Sequence, residues 1–180
     1  FPANRGLTGV SGSILQKRDR LSRAILHQVS AEYRGEFMDE RLVVNLGVRA
    51  PFFRRELQNN CFTSSASGNV ECFGSNALQL SPFALLNPTA ALPQNRVFNY
   101  NKVLPNIGFT FDVTSNVSVY GSFAQGLSVP GTDSLYNAFF FPVATARARP
   151  NPETTDSFDG GVRFRSGNVQ AMVAGWYTQY

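Results

Sequence analysis

The chain has 180 residues and a mass of 19.8 kDa, with 16% charged and 13% aromatic residues, a mean hydropathy of −0.15 and a formal net charge of +4. The low charge beside 16 Phe excludes a disordered tail, and no apolar run approaches the roughly 18 residues of a transmembrane helix. The 14 Arg and two Lys are scattered, which disfavours a nucleic-acid-binding surface. Two classes of protein are compatible with this composition: a globular β protein and a membrane β-barrel.

The first predicted element is a strand with one apolar and one polar face. Odd positions from Val29 to Phe37 are apolar or small, whereas even positions are polar and mostly charged. Strand side chains alternate between faces, so this period predicts a strand, which we expect to begin near Leu21. After Asp39-Glu40 the alternation resumes at Leu42 and continues to Phe52. The two segments predict a β-hairpin.

The same two-residue period predicts two further hairpins later in the chain. Residues 107–113 and 117–123 flank the turn Thr114-Ser115-Asn116, and residues 158–165 and 169–177 flank the turn Ser166-Gly167-Asn168. Small and polar turn residues between alternating segments are typical of hairpins. The sequence therefore predicts six antiparallel strands in three hairpins.

The lengths of the connections favour a membrane barrel over a soluble sandwich. The hairpin turns take two or three residues, whereas residues 54–99 and 128–155 form connections far longer than the roughly 4 to 6 residues of compact domains. Short periplasmic turns and long outer loops are typical of outer-membrane barrels. Polar side chains would then face the lumen: Glu32, Arg34, Glu36, Asn45, Arg49, Asp112, Asp159, Arg163 and Arg165. Six strands do not close a barrel, because the smallest bacterial examples have about 8.

Aromatic residues near the ends of the strands support the same fold class. Phe37, Phe111 and Phe164 each lie two or three residues before a short turn, as an interfacial aromatic girdle requires. The opposite girdle is predicted from Phe52, Trp176, Tyr177 and Tyr180. Phe is also common in soluble strands. Together with the loop lengths, the pattern predicts an all-β, antiparallel up-and-down transmembrane β-barrel segment, an incomplete barrel with long extracellular loops.

Three runs of residues resemble the barrel of TonB-dependent outer-membrane receptors. Leu104-Pro105-Asn106-Ile107-Gly108-Phe109, then NVSVYGSFAQGL from Asn116 to Leu127 and Pro130, resemble the family's entry strand, turn and following strand. Residues 151–156 (NPETTD) resemble its Pro-Glu-Thr stretch, and residues 45–52 resemble an earlier strand. The resemblance covers roughly residues 28–57 and 100–180. Residues 127–130 depart from the commoner aromatic-Arg pattern.

The resemblance implies a barrel of about 22 strands with an N-terminal plug, located in the bacterial outer membrane. It implies TonB-energised uptake of a scarce ligand: siderophore-bound iron, cobalamin or a glycan. The implied partners are that small-molecule or metal-chelate ligand, outer-membrane lipid and lipopolysaccharide, and the TonB complex through parts absent from this chain. We expect residues 1–180 to be an internal part of one barrel domain, in its C-terminal half, without plug and closing strands.

Cys61 and Cys72 both lie in the first long connection. In an oxidising compartment they predict a disulfide, which would stabilise its short loop by roughly 3 kcal/mol in the chain-entropy model. A metal site is the alternative, but it needs more ligands, and the only histidine, His27, lies at the outer end of a strand. No metal site, cofactor, catalytic motif or enzymatic activity is predicted.

The resemblance implies ligand recognition in the long loops, because such receptors contact their ligands with extracellular loops and the plug. Arginines are the candidates there, because guanidinium groups suit carboxylate and phosphate. The candidates are Arg54, Arg55, Arg96, Tyr136, Arg147 and Arg149, with Phe139, Phe140 and Phe141 as additional stacking surface. The alternative is that these arginines solvate the loops or neutralise lipopolysaccharide phosphates. For the whole chain, a soluble all-β binding or adhesion module remains the alternative function.

Overall fold

A computed structural model of the chain describes residues 7–8, 14–15, 18–73 and 77–180, with side chains for 18–73 and 82–180. The chain divides into two compact units. We name residues 1–25, 54–99 and 130–151 the loop unit, and residues 26–53, 100–129 and 152–180 the strand unit.

The described elements are mostly antiparallel strands. The strands are β1 (Leu7–Thr8), β2 (Ile14–Leu15), β3 (Arg20–Phe37), β4 (Leu42–Asn59), β5 (Phe62–Thr63), β6 (Val70–Glu71), β7 (Gln94–Asn101), β8 (Leu104–Asp112), β9 (Val117–Ser128), β10 (Glu153–Ser166) and β11 (Val169–Gln179). The helices are α1 (Ala77–Leu86) and α2 (Thr132–Asn137), with 3-10 turns at Ala138–Phe140 and Ala146–Ala148. Across the described residues, no helix has the length and apolar character needed to cross a membrane.

The three predicted hairpins and their turns are confirmed, and β3 begins at Arg20, close to the expected start. The strands are longer than the alternation alone indicates: β4 continues to Asn59. β7 was not predicted, and most of it lies in the segment assigned to a loop, residues 54–99. Its sequence is largely polar, and only the buried Phe98 and Tyr100 form an apolar face, which is too short a signal for a strand.

The strands of the strand unit form an up-and-down meander, in the order β11-β10-β9-β8-β4-β3. The register places apolar residues opposite one another. Val162 lies opposite Val119 and Val173, and Phe109 lies opposite Val44 and Gly121. The alternation read from the sequence therefore persists across the sheet, because cross-strand partners share a face. The predicted apolar and polar faces are confirmed.

The apolar face carries a row of aromatic rings at the strand ends away from the short turns. Phe123, Phe158 and Tyr177 are partners in the register, with ring centroids 4.9 Å apart for Phe123–Phe158 and 6.4 Å for Phe158–Tyr177. Trp176 lies on the polar face instead, opposite Asp159. Adjacent residues of a strand point to opposite faces. This corrects the expectation that Trp176 and Tyr177 share one girdle.

The apolar face of the strand unit is exposed to its surroundings. Val162 is 46% exposed, Phe158 47% and Val173 77% in the described part of the chain. A soluble β-sandwich would bury such side chains against a second sheet about 10 Å away. A sheet with one exposed apolar face and one polar face matches the wall of a membrane barrel.

Gly161, on the polar face, has no room for a side chain between a backbone carbonyl of β11 and an aromatic ring of β9. Gly161 lies opposite Tyr120, and the guanidinium carbon of Arg163 lies 4.6 Å from the centre of the Tyr120 ring. A Cβ atom at Gly161 would overlap the Val173 carbonyl oxygen and would lie 2.9 Å from Tyr120 Cε1. The first of these contacts is with backbone, which does not move aside cheaply.

We expect Gly161→Ala to destabilise the barrel by about 1 to 3 kcal/mol through this overpacking. Urea unfolding of the receptor in detergent measures the effect. Gly108→Ala is the matched control on the same face, because its nearest atom would be 3.8 Å away, an ordinary contact. Equal stability loss in both variants would contradict the packing argument.

Candidate ligand-binding surface of the loop unit

The first long connection is closed by the predicted disulfide. Cys61 and Cys72 are bonded, with their Cα atoms 4.5 Å apart and 11 positions of separation along the chain. The bridge encloses the short β5–β6 ladder. Beside it, the Phe62 ring packs against Phe73 and Phe83, with centroids 6.2 and 4.9 Å away. The connection is therefore a folded structure with its own small core.

The second long connection is anchored by buried residues around α2. Leu135 and Phe139 are 0% exposed and Tyr136 is 2% exposed. The Tyr136 hydroxyl lies 2.9 Å from the Leu21 carbonyl oxygen and 3.2 Å from the Gln58 carbonyl oxygen. It also lies 2.9 Å from Ser22 Oγ. These contacts hold α2 against the ends of β3 and β4 that belong to the loop unit.

Arg96 joins β7 to the segment that follows α2. Its Nη1 donates to the Ala138 carbonyl at 2.9 Å, and its Nη2 donates to the Phe139 and Phe141 carbonyls at 3.3 and 2.8 Å. Its guanidinium carbon lies 4.9 Å from the centre of the Phe139 ring. Burial of this loop residue lowers the pKa of its guanidinium below the ordinary value, but arginine stays charged in proteins. Arg96 is therefore a structural centre of this segment.

Three arginines surround the start of α2, and we name Arg18, Arg20 and Arg55 the arginine cluster. Nη1 of Arg18 and of Arg20 lie 3.6 and 3.5 Å from Asp133 Oδ1. Arg20 Nη2 donates to the Gly68 carbonyl at 3.3 Å, and Arg55 Nη2 donates to Thr132 Oγ1. The Arg20 side chain is only 9% exposed. The Nε atoms of Arg20 and Arg55 are buried and have no hydrogen-bond partner.

The six predicted site residues separate into two groups. Tyr136 and Arg96 make their contacts inside the loop unit, so Tyr136 presents no ring face to solvent. Arg147 and Arg149 are exposed, and Arg54 donates from Nε to Glu56 at 2.8 Å while its side chain stays 54% exposed. Arg55 belongs to the arginine cluster. The structure does not test ligand binding by these residues, which stays a prediction.

Arg18 and Arg20 were not among the predicted site residues, although the sequence carries a signal for them. Continuing the alternation of β3 backwards places Ser22, Arg20 and Arg18 at the even positions that carry polar side chains further along the strand. By itself this pattern indicates only the start of a strand. What the sequence does not show is the contact with Asp133, more than 100 residues later.

Charge is segregated between the two units. The described residues of the loop unit include eight arginines and four carboxylates: Arg18, Arg20, Arg23, Arg54, Arg55, Arg96, Arg147 and Arg149 against Asp19, Glu56, Glu71 and Asp133. The strand unit has six basic and eight acidic residues. Within the described residues, no three His, Cys, Asp or Glu side chains lie together as metal ligands would. The loop unit favours anions by its charge.

The comparisons with known proteins agree with the meander and its exposed apolar face. The family model described as TonB-dependent receptor-like, β-barrel, matches residues 5–180. The chain belongs to this family. Among solved structures, the copper transporter OprC is similar, with a TM-score of 0.51 and 18% identity over 85% of this chain. That likeness supports the fold.

Membership of the TonB-dependent receptor family places the chain in the outer membrane and confirms the family predicted from the sequence. The open sheet of the strand unit is part of an incomplete barrel, and the soluble alternative is set aside. The matched region spans 21% of the length of OprC. In a TonB-dependent receptor, the polar face of this sheet is the lumenal face.

Proposed function

We propose that the receptor containing this chain imports a scarce anionic ligand across the outer membrane with energy supplied through TonB. The observation that carries the ligand class is the excess of arginine in the loop unit, eight against four carboxylates among the described residues. A basic surface concentrates anions and raises their association rate. Siderophore-bound iron carrying carboxylates, or an acidic glycan, fits this class better than cobalamin.

Uptake of a bare copper ion, which the name of OprC suggests, is less well supported. Copper(II) is bound by imidazole and other nitrogen or oxygen ligands, and copper(I) by thiolates and thioethers. His27 is the only histidine of the sequence, and both cysteines are in the disulfide. A basic surface also repels a metal cation. We therefore propose a chelate or organic anion as cargo.

The exposed loop arginines are the proposed ligand contacts. Arg54, Arg147 and Arg149 keep their guanidinium groups accessible, and Arg147 lies beside the half-buried Phe141, 5.5 Å from its ring centre. Phe140 and Phe141 pack edge to face with centroids 5.5 Å apart. A guanidinium group beside an aromatic ring suits a planar anionic group such as a carboxylate. Contacts with lipopolysaccharide phosphates by the same arginines are the competing proposal.

The test is uptake by cells that depend on this receptor, with and without a functional TonB protein. The panel contains a carboxylate-bearing ferric siderophore, a neutral ferric siderophore, cobalamin, an acidic oligosaccharide and free copper. We expect TonB-dependent accumulation of an anionic member. Accumulation without TonB would overturn the transport mechanism, and preferential uptake of free copper or a neutral member would overturn the ligand class.

A further inference from the structure

We infer that the arginine cluster is a binding subsite for an oxyanion, a carboxylate or phosphate group, and that the Asp133 carboxylate is its intramolecular competitor. The inference deepens the proposed function and rests on it for the ligand's transport, but the subsite is defined by its own geometry. Arg18, Arg20 and Arg55 contact the adjacent residues Thr132 and Asp133. Three guanidinium groups therefore converge on one short segment.

The charges at this segment are unbalanced. Asp133 is the only carboxylate paired with the three arginines among the described residues. Its distances of 3.6 and 3.5 Å to Arg18 and Arg20 are longer than the 2.7 to 2.9 Å typical of charge-assisted hydrogen bonds. Asp133 therefore holds the cluster loosely, and a ligand group with better geometry displaces it.

Two buried hydrogen-bond donors of the arginine cluster have no acceptor among the described residues. The buried Nε atoms of Arg20 and Arg55 have no partner, although buried polar groups are nearly always hydrogen-bonded. A carboxylate or phosphate accepts from Nε and Nη of one guanidinium at the same time. The same two guanidinium groups already reach Asp133 through Arg20 Nη1 and Thr132 through Arg55 Nη2, so an anion bound at this segment lies near both unpartnered donors.

The subsite is accessible without unfolding the segment. The Asp133 side chain is 75% exposed and that of Arg18 is 57% exposed, so a solute reaches both from solvent. The segment is held by Tyr136 and by Arg96, neither of which depends on Asp133. Exchange of one carboxylate for another therefore leaves α2 in place.

The lowered pKa of Arg20 also favours binding of an anion at the arginine cluster. Burial, followed by the neighbouring Arg18, lowers the pKa of this guanidinium, which lies at the outermost residue of β3 in the loop unit. Asp133 opposes the effect only in part. An additional anion beside the two arginines would favour their charged forms and so offset both unfavourable contributions.

The test measures binding of citrate and of inorganic pyrophosphate to the purified receptor in detergent by titration calorimetry. Asp133→Asn removes the competing charge and keeps the shape of the side chain. We expect it to bind both probes about 3 to 10 times more tightly than the native receptor, since one charge contact is commonly worth up to a tenfold change. Arg18→Gln is expected to bind about 10 times more weakly.

Arg23→Gln is the matched control, because it makes the same charge change on the exposed opposite side of β3. We expect its affinity to stay within about twofold of the native value. Equal weakening by Arg18→Gln and Arg23→Gln, or unchanged affinity in Asp133→Asn, would overturn the subsite in favour of a diffuse basic surface. Retention of the disulfide and of heat-modifiable migration in every variant shows that the fold is intact.

A third experiment distinguishes a lipid phosphate from a soluble anion as the ligand, and it tests the subsite independently of the proposed transport. Micelles containing phosphorylated and dephosphorylated lipid A are compared with the soluble probes; preference for the lipid phosphates alone would overturn a soluble ligand at this subsite. The variants are also tested for uptake. Altered probe affinity without any TonB-dependent uptake contradicts the proposed transport only, whereas normal uptake with unaltered probe affinity contradicts the subsite only.

Discussion

Val119→Arg is expected to impair assembly of the barrel in the outer membrane. Val119 lies on the apolar face of β9, opposite Phe111 and Val162. An arginine that faces lipid costs free energy that rises with depth to about 2 to 4 kcal/mol at the bilayer midplane, a large share of the stability of a typical protein. The measurement is the heat-modifiable band of the folded receptor in gel electrophoresis of outer-membrane fractions.

Ser122→Arg on the same strand is the control for that experiment. Ser122 lies on the polar face, opposite Asp159 and Gly108. In a water-filled lumen the new guanidinium pairs with the Asp159 carboxylate, so assembly is expected to be close to normal. Equal loss of folded receptor in both variants would contradict the assignment of one face to lipid and the other to the lumen.

Arg96→Met is expected to loosen residues 130–151 while the membrane strands remain folded. The substitution removes the donors to the Ala138, Phe139 and Phe141 carbonyls. A hydrogen bond from a charged donor contributes roughly 1.5 to 3 kcal/mol, and the buried acceptors would lose their partners. We expect a local destabilisation of about 3 kcal/mol, or about a hundredfold faster amide hydrogen exchange in this segment.

Two further variants make this result specific to Arg96. Arg96→Lys keeps the charge but not the planar fork, so an intermediate rate of exchange is expected. Arg147→Met removes an exposed arginine whose described contact is with the Phe141 ring, and its effect is expected to be below about 0.5 kcal/mol. Equally fast exchange in Arg147→Met would show that general loss of positive charge, and not the carbonyl contacts, loosens the segment.

The alternation of side chains is sufficient to predict the architecture of the strand unit. Because the side-chain period of a strand is two, residues 107–113 and 158–165 reveal which side chains share a face. The short turns indicate that successive strands are antiparallel neighbours. The register then follows, since slippage by one residue would place Arg163 among Val119 and Val173.

The structure of the long loops is predicted only in part from the sequence. Cys61 and Cys72 were predicted to pair because both lie in the first long connection, which passes through an oxidising compartment, and the disulfide is present. The roles of Tyr136 and Arg96 were not visible, because an aromatic ring or a guanidinium in a long loop has the same sequence signal whether it is buried or exposed. In the structure each of these side chains makes several hydrogen bonds to backbone carbonyls of distant segments.

The sequence by itself determined the fold class, the hairpins, the two faces of the sheet, the disulfide and the family, because these depend on local periods and short separations. Only the tertiary structure decided which loop arginines are structural and which remain available, and it alone brought Arg18 and Arg20 to Asp133. The physical reason is that loop side chains find their partners through contacts between segments far apart in sequence. The alternation of residue types along the chain carries no information about such contacts.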